Sequence, residues 1–206
     1  MIKLRSRKGF TLVELLVVMT IIALIIGLAV PGLAAARKVA SRISDTNNAR
    51  NLVLALNLAA QDSNGLYPTG ASSTEVFEEL VHNRYIDDER VFAGTNTPNP
   101  PKIDPGNLPA FTLDPRNVAW AYVDNLTTNS PSRCPLVLTK GVKAFTNLGV
   151  VSPELPAMAS ADSPWGPDGV VVGTVGGSAE FIKANPNGTV DLGITGAENP
   201  VLSPSY

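Results

Sequence analysis

The sequence predicts an α+β fold in which one long N-terminal helix packs on an antiparallel β-sheet head. Two observations predict the helix: residues 10–30 are apolar except for Glu14, and residues 31–62 are rich in Ala and Leu without strand alternation. A third predicts the sheet, because the later part of the chain holds short alternating segments separated by Gly, Pro and Asn.

The composition excludes several classes of protein. The chain has 206 residues and a formal net charge of −2, so it offers no broad basic surface and no nucleic-acid partner is predicted. With one cysteine, Cys134, and one histidine, His82, neither an intramolecular disulfide nor a structural zinc site can form. No nucleophile triad is recognisable either, and no enzyme activity is predicted.

The N-terminus has the pattern of a membrane anchor. A basic leader, residues 1–9, precedes an apolar stretch over residues 10–30, and the 21 residues of that stretch would form a helix of roughly 31 Å. That length crosses a bilayer core of about 30 Å. Because basic flanks stay in the cytoplasm, the chain after Pro31 is expected on the far side of the membrane.

Two other interpretations of this segment are open. A cleavable secretory signal would use the small residues Ala34–Ala36 as its cleavage site, but its apolar core is usually only about 7–15 residues long. An uncleaved anchor would instead let Glu14 snorkel towards the cytoplasmic surface. In either case a charged side chain in an apolar span costs at least about 2.5 kcal/mol, so Glu14 needs a partner or a function.

The seven residues KGFTLVE, at positions 8–14, closely resemble the prepilin signal of type IV pilins and type II secretion pseudopilins. The resemblance implies that a prepilin peptidase cuts between Gly9 and Phe10 and that Phe10 becomes N-methylphenylalanine. It further implies that Glu14 guides assembly by pairing with the terminal amine of a neighbouring subunit. A carboxylate and an ammonium that are each costly in hydrocarbon would then neutralise one another.

Pro31 is similar to a helix-bending proline seen in many members of that family. Because proline lacks an N–H and clashes with the preceding turn, we expect a kink or local melting over residues 28–32. The alternative is that Pro31 simply ends the membrane span.

A helix is predicted to continue to about residue 62, so that residues 10–62 would form one rod of roughly 80 Å. Lys38, Arg42 and Asp45 are predicted on its polar face. The opposite, mostly apolar face is predicted to contain Val39, Ile43, Thr46, Ala49, Val53, Leu56 and Ala60. Such a face would pack in a bundle of identical rods, or else only on the chain's own head.

The head, residues 63–206, is predicted to be α+β and pilin-like. Tyr67-Pro68 resembles a turn of the major pseudopilins, residues 73–85 are predicted to be helical with an N-cap at Ser72 or Ser73, and residues 93–115 are predicted to be a Pro-rich surface loop. Strands are predicted at 118–123, 135–139, 170–175, 178–183 and 189–194. The last three would form a meander, with a two-residue turn at 176–177.

A few residues of the head are candidate sites. The resemblance suggests calcium, for which Asp162 and Asp168 are weak ligand candidates because their spacing is not of the EF-hand type. Trp165 is predicted to anchor its loop on the core, and Cys134 to be a small core residue. His82 is predicted to be a surface or capping residue. No other cofactor is predicted.

The predicted function is a structural subunit of a type IV pilus-like filament, most consistent with a type II secretion pseudopilin because a second cysteine is missing. Its expected partners are copies of itself, a prepilin peptidase, an inner-membrane assembly platform and, before assembly, membrane lipid. It would reside in the inner membrane with a periplasmic head, and then in a periplasmic or extracellular filament. The alternatives are a type IV pilus pilin and a membrane-anchored binding protein or enzyme.

Overall fold

The computed structural model describes residues 10–141, 154–156, 164–186, 189–191 and 201–202. The chain divides into two compact units, Met1–Ala40 and Ser41–Tyr206. A long helix and an antiparallel sheet confirm the predicted α+β, pilin-like class. Helix α1 (Leu12–Asp62) begins and ends close to the predicted limits.

In the first unit α1 buries none of its large apolar side chains. Those between Leu12 and Val30 are 46–80% exposed. Among the described residues, α1 is the one helix long and apolar enough to cross a membrane. The helical assignment continues without a break through residues 28–32, so the local melting predicted there is wrong, whereas a bend at Pro31 stays a prediction.

In the second unit α1 is amphipathic, but its buried face is rotated from the predicted one. Val39, in the first unit, and Ile43 are 55% and 58% exposed, whereas Asp45, predicted on the polar face, is buried. The head covers a stripe that runs through positions 45, 49, 52, 56 and 59, at the 3- and 4-residue spacing of one helical face. The α1 residues in the core are Ala49, Leu52, Val53, Ala55, Leu56, Ala59 and Ala60.

Helix α1 ends in a left-handed cap. Asn64 and Gly65 have φ of 55° and 85°, and the Gly65 N–H donates to the Ala60 carbonyl at 2.7 Å. This is the long capping bond of a Schellman-type helix end. The side chain of Tyr67, in the turn that follows, is buried.

Helix α2 (Ser73–His82) is shorter than the predicted 73–85 because Arg84 adopts a φ of 64°. Its N-cap is Ser72, whose side chain accepts from the Glu75 N–H at 3.3 Å. The carboxylate of Glu75 accepts in turn from the Ala71 N–H at 2.7 Å. Within the described residues the remaining helices are four short 3-10 turns, at Glu89–Phe92, Leu108–Ala110, Pro115–Asn117 and Gly166–Asp168.

The described residues form seven strands: β1 (Trp120–Val123), β2 (Pro135–Thr139), β3 (Glu154–Pro156), β4 (Gly169–Thr174), β5 (Ala179–Lys183), β6 (Thr189–Asp191) and β7 (Val201–Leu202). Five of them form the antiparallel main sheet in the order β5-β4-β2-β1-β7, and β3 pairs separately with β6. The register places Tyr122, Val137 and Gly173 side by side on one face. Helices α1 and α2 pack on that face, where the rings of Phe77 and Tyr122 are 6.4 Å apart.

Gly173 sets how closely α1 approaches the sheet. A Cβ added there would lie 2.6 Å from Val53 Cγ2 and 3.4 Å from the Ala49 carbonyl oxygen. The first distance is shorter than van der Waals contact, so a side chain would push the helix away from β4.

The predicted three-stranded meander is wrong. Strands β4 and β5 do form a hairpin, but its loop covers residues 175–178 because the Thr174 N–H bonds the Ser178 carbonyl at 2.8 Å. Strand β6 pairs with β3 instead of β5. Pro186, which has no N–H to give to a ladder, lies in the connection that leads away from β5.

The Pro-rich loop is only partly surface structure. It contains no strand, as predicted, but Leu108, Phe111 and Leu113 are buried in the core cluster. The loop therefore covers part of the core, and none of its prolines lies in a strand.

A buried carboxylate connects three parts of the head. Asp45 is 3% exposed; its oxygens accept from the Thr95 N–H at 3.1 and 3.2 Å, and its Oδ2 accepts from Trp165 Nε1 at 3.0 Å. Burial raises the pKa of Asp45, although the Thr95 and Trp165 N–H groups oppose that shift. Trp165 is thus a loop anchor, as predicted.

The charged and aromatic side chains around Asp45 form a small cluster. The guanidinium carbon of Arg42, one turn earlier on α1, lies 4.2 Å from the Phe181 ring centroid and 5.5 Å from that of Trp165. Arg42 therefore stacks on the aromatic rings, and Asp45 is held by neutral N–H donors. A charge buried in this way costs free energy at neutral pH.

We expect a truncated chain that begins at Ala36 to be soluble and to unfold cooperatively, because the second compact unit begins at Ser41. A matched chain that begins at Leu52 lacks Asp45 and Ala49 and should have a Tm lower by several degrees. Circular dichroism melting curves check this. A non-cooperative transition in the longer truncation would contradict an independent head.

We expect Asp45 to make the stability of that truncation depend on pH in a defined direction. A carboxyl group whose pKa is raised in the folded state destabilises the fold when it is ionised. The free energy of unfolding therefore falls as pH rises from about 3.9 through the pKa of the folded state. Relative to Asp45→Asn, the wild type should therefore gain stability on acidification from pH 7 to pH 4.5.

Denaturant unfolding at several pH values measures the effect, with the exposed Asp87→Asn as control. Asp45→Ala should cost about 1–3 kcal/mol, because it leaves the Trp165 N–H without an acceptor. A wild type that loses stability relative to Asp45→Asn on acidification would show that the sign is wrong.

Candidate functional site

The first residues of α1 form a reciprocal capping arrangement. Thr11 donates to Glu14 Oε2 from its N–H at 2.9 Å and from its hydroxyl at 2.7 Å. The hydroxyl oxygen also accepts from the Glu14 N–H at 3.2 Å. This is a capping box, in which a Thr at the N-cap and a Glu three residues later satisfy each other's N–H groups.

The capping box lowers part of the free-energy cost of placing the Glu14 carboxylate in an apolar segment. Oε2 of Glu14 is fully used within its own helix end, and its negative charge lies near the positive end of the helix dipole. Within the described residues Oε1 has no hydrogen-bond partner. The Thr-x-x-Glu spacing is a sequence signal for this arrangement, although the capping box was not predicted from it.

The other residues of the predicted processing site are placed as follows. Gly9 lies outside the described residues, so the cut between Gly9 and Phe10 stays a prediction. Phe10 immediately precedes the capping box and is 78% exposed, and its methylation stays a prediction as well. The side chain of Pro31 is not among those described.

The calcium site stays a prediction. Asp162 lies outside the described residues. Asp168 ends a 3-10 turn, where its N–H bonds the Trp165 carbonyl and its carbonyl accepts from the Ala184 N–H. In the described ranges no group of three or more His, Cys, Asp or Glu residues is placed to hold a metal ion.

His82 and Cys134 have the places predicted for them. His82 is exposed in the last turn of α2, and its Nε2 lies 3.0 Å from the Phe111 carbonyl oxygen. Cys134 is 1% exposed, and burial raises the pKa of its thiol. Cys134 is therefore not arranged as an exposed nucleophile.

A groove of about 290 Å³ lies where α1, the Tyr67-Pro68 turn and α2 meet. Tyr67 hydrogen-bonds Asn57 Oδ1 at 2.6 Å, and Tyr85 donates to Asp62 Oδ2 at 2.7 Å. The bond to Asp62 raises the pKa of Tyr85, and the negative charge of Glu79 raises it further. The full lining is Ala59, Ser63, Leu66, Tyr67, Pro68, Thr69, Glu79, Leu80, Asn83 and Tyr85. We call it the tyrosine groove.

Two wider grooves border the Pro-rich loop. One of about 490 Å³ lies beside Asp45, and one of about 830 Å³ beside the Asp114–Arg116 ion pair, whose atoms are 2.6 Å apart. That pair holds the pKa of Asp114 at about 2. Both grooves are open, without a convergent set of groups that would indicate a reaction.

Comparison with family models matches residues 4–30 to the prokaryotic N-terminal methylation motif. Comparisons with curated proteins and with solved structures find no significant match. The motif is the signature of the prepilin-type signal of type IV pilins and pseudopilins, so the resemblance drawn from residues 8–14 is confirmed. The chain carries a prepilin-type signal, fit for membrane anchoring, at the start of a helix that is apolar and unburied over its first half.

Proposed function

We propose that this chain is a structural subunit of a type II secretion pseudopilus, polymerising through α1 after its leader is removed. The motif supports a pilin-like or pseudopilin subunit and implies processing by a prepilin peptidase. The observation that carries the proposal is the motif's position at the start of α1. Side chains there that no head residue covers become buried when identical helices pack together.

The capping box suggests how Glu14 acts before and during assembly. In the single subunit Thr11 satisfies Oε2, which lowers the cost of placing the carboxylate in lipid. The free Oε1 is then available to the terminal ammonium of a neighbouring Phe10. Pairing these two charges would favour the packed helices over the isolated one.

Two features of the head favour a pseudopilin over a disulfide-looped pilin. The chain has a single, buried cysteine, so no disulfide can close a surface loop. The Tyr67-Pro68 turn that resembles the pseudopilin turn is built into the core, since Tyr122 donates to the Pro68 carbonyl at 2.7 Å. The head would lie in the periplasm, on the far side of the membrane from the basic leader.

Complementation separates the two kinds of filament. We expect the chain to restore secretion in a strain that lacks a major pseudopilin, and not to restore pili in a strain that lacks its pilin. Restoration of pili alone would assign the chain to type IV pili. Mature protein that retains residues 1–9 would favour a simple membrane anchor.

We expect Gly9→Val to block leader removal, because the peptidase requires close approach of the backbone at the cleaved bond. The matched control is Gly27→Val, since an added Cβ at Gly27 has no atom within 4 Å. Mass spectrometry of the mature N-terminus checks both variants. A mature chain that begins at Phe10 in the Gly9→Val variant would contradict the cleavage assignment.

We expect Glu14→Ala to insert normally, because the change makes the span more apolar, but to lower filament yield at least about tenfold, since loss of one partner of a buried ion pair costs about 3–5 kcal/mol. Thr20→Ala serves as control, because Thr20 bonds only its own helix at the Leu16 carbonyl. Sheared filaments and membrane fractions are quantified together. Normal filament yield would mean that Glu14 only snorkels.

A further inference from the structure

The tyrosine groove has a negative field and no basic side chain in its lining. The C-terminal ends of α1 and α2 both border it, and the last turn of α1 contains no basic residue. Helix C-termini carry partial negative charge, which adds to that of the carboxylates. Within the described part of the chain the exposed Glu79 carboxylate has no hydrogen-bond or ion-pair partner. The groove is therefore suited to a cationic group.

A complementary surface lies on the outward face of α1. Ile43, Leu54 and Leu58 are 50–58% exposed, although each is a large apolar side chain of the head unit. Arg50 lies among them: at 100° per residue the four positions fall within about 80° of one another. Like Glu79, Arg50 is exposed, and it has no ion-pair partner in the described ranges.

The two surfaces face in different directions. Ala59, which lines the groove, is nine residues from Arg50 and so about 180° around the helix axis from it. A contact that joins one surface to the other cannot be satisfied between two copies by a twofold axis. It is heterologous, and repetition of it gives a ring or a helical polymer.

We propose that Arg50 of one copy enters the tyrosine groove of a second copy and pairs with Glu79. Leu54 and Leu58 beside Arg50 would then cover Leu66, an apolar groove residue that is 59% exposed. The partly exposed ring of Tyr85 offers the guanidinium a flat apolar surface next to Glu79. This inference rests on the proposed function, because it names the head-to-head contact of the same filament.

Charge reversal in the full-length chain tests the pairing. Glu79→Arg and Arg50→Glu should each lower filament yield on the order of tenfold, and the double variant should restore most of the loss, as close interfacial charge pairs are strongly coupled. The matched control is Glu180→Arg with Lys102→Glu, two exposed positions outside both surfaces. Melting curves in detergent show whether each variant is folded.

Thiol cross-linking tests the direction of the contact. Because Cys134 is buried, a chain with Leu54→Cys and Leu66→Cys keeps both Arg50 and Glu79 and offers two accessible thiols, so a short bifunctional reagent should give a ladder of oligomers. Each single variant should give no ladder. A double-cysteine chain that makes filaments but cross-links only to dimers, or not at all, would overturn this contact. So would charge-reversal variants that are folded but do not rescue one another. Either result would leave the proposed function intact, provided that the wild type makes filaments. A wild type that makes no filament would overturn both.

Discussion

The head is stabilised mainly by the burial of one face of α1 in its hydrophobic core. That face supplies seven residues of the core, from Ala49 to Ala60, and approaches β4 closely because Gly173 has no side chain. The same helix continues towards the N-terminus through apolar side chains that the described part of the chain leaves exposed. One part of this helix is therefore packed in the core of the head, and the other has the length and apolar composition that fit a membrane anchor.

Buried hydrogen bonds fix the position of α1 relative to the loops of the head, whereas apolar contacts alone would allow it to shift. Asp45 ties α1 to the Thr95 loop and to Trp165, and Trp120 Nε1 donates to the Val91 carbonyl at 2.9 Å. Each bond joins segments far apart in sequence, and each would leave a buried group unsatisfied if the segments moved. The cost of ionised Asp45 at neutral pH is consistent with a residue retained for specificity rather than for stability.

Local signals allowed much of the fold to be predicted. The apolar run and the Asn64-Gly65 end indicated the limits of α1. The limits of β2 were also predicted correctly, as an apolar segment that begins at Pro135. The errors concern long-range pairing. Nothing in residues 189–191 indicates that they pair with β3 instead of β5. Helical periodicity predicted Asp45 on the exposed face, because it carries no information about a hydrogen bond from Trp165, 120 residues away. The processing site was predicted from a contiguous motif, whereas the tyrosine groove brings together three separate segments.

Because Cys134 has no second cysteine to pair with, folding of the head does not depend on the redox conditions around it. Because Cys134 is the one cysteine and is enclosed by the core, the head acquires its final structure without any oxidation step. Its folding is thus independent of thiol oxidases and of the glutathione balance on either side of a membrane. A subunit of this kind would remain usable when the supply of disulfide bonds to other exported proteins fails.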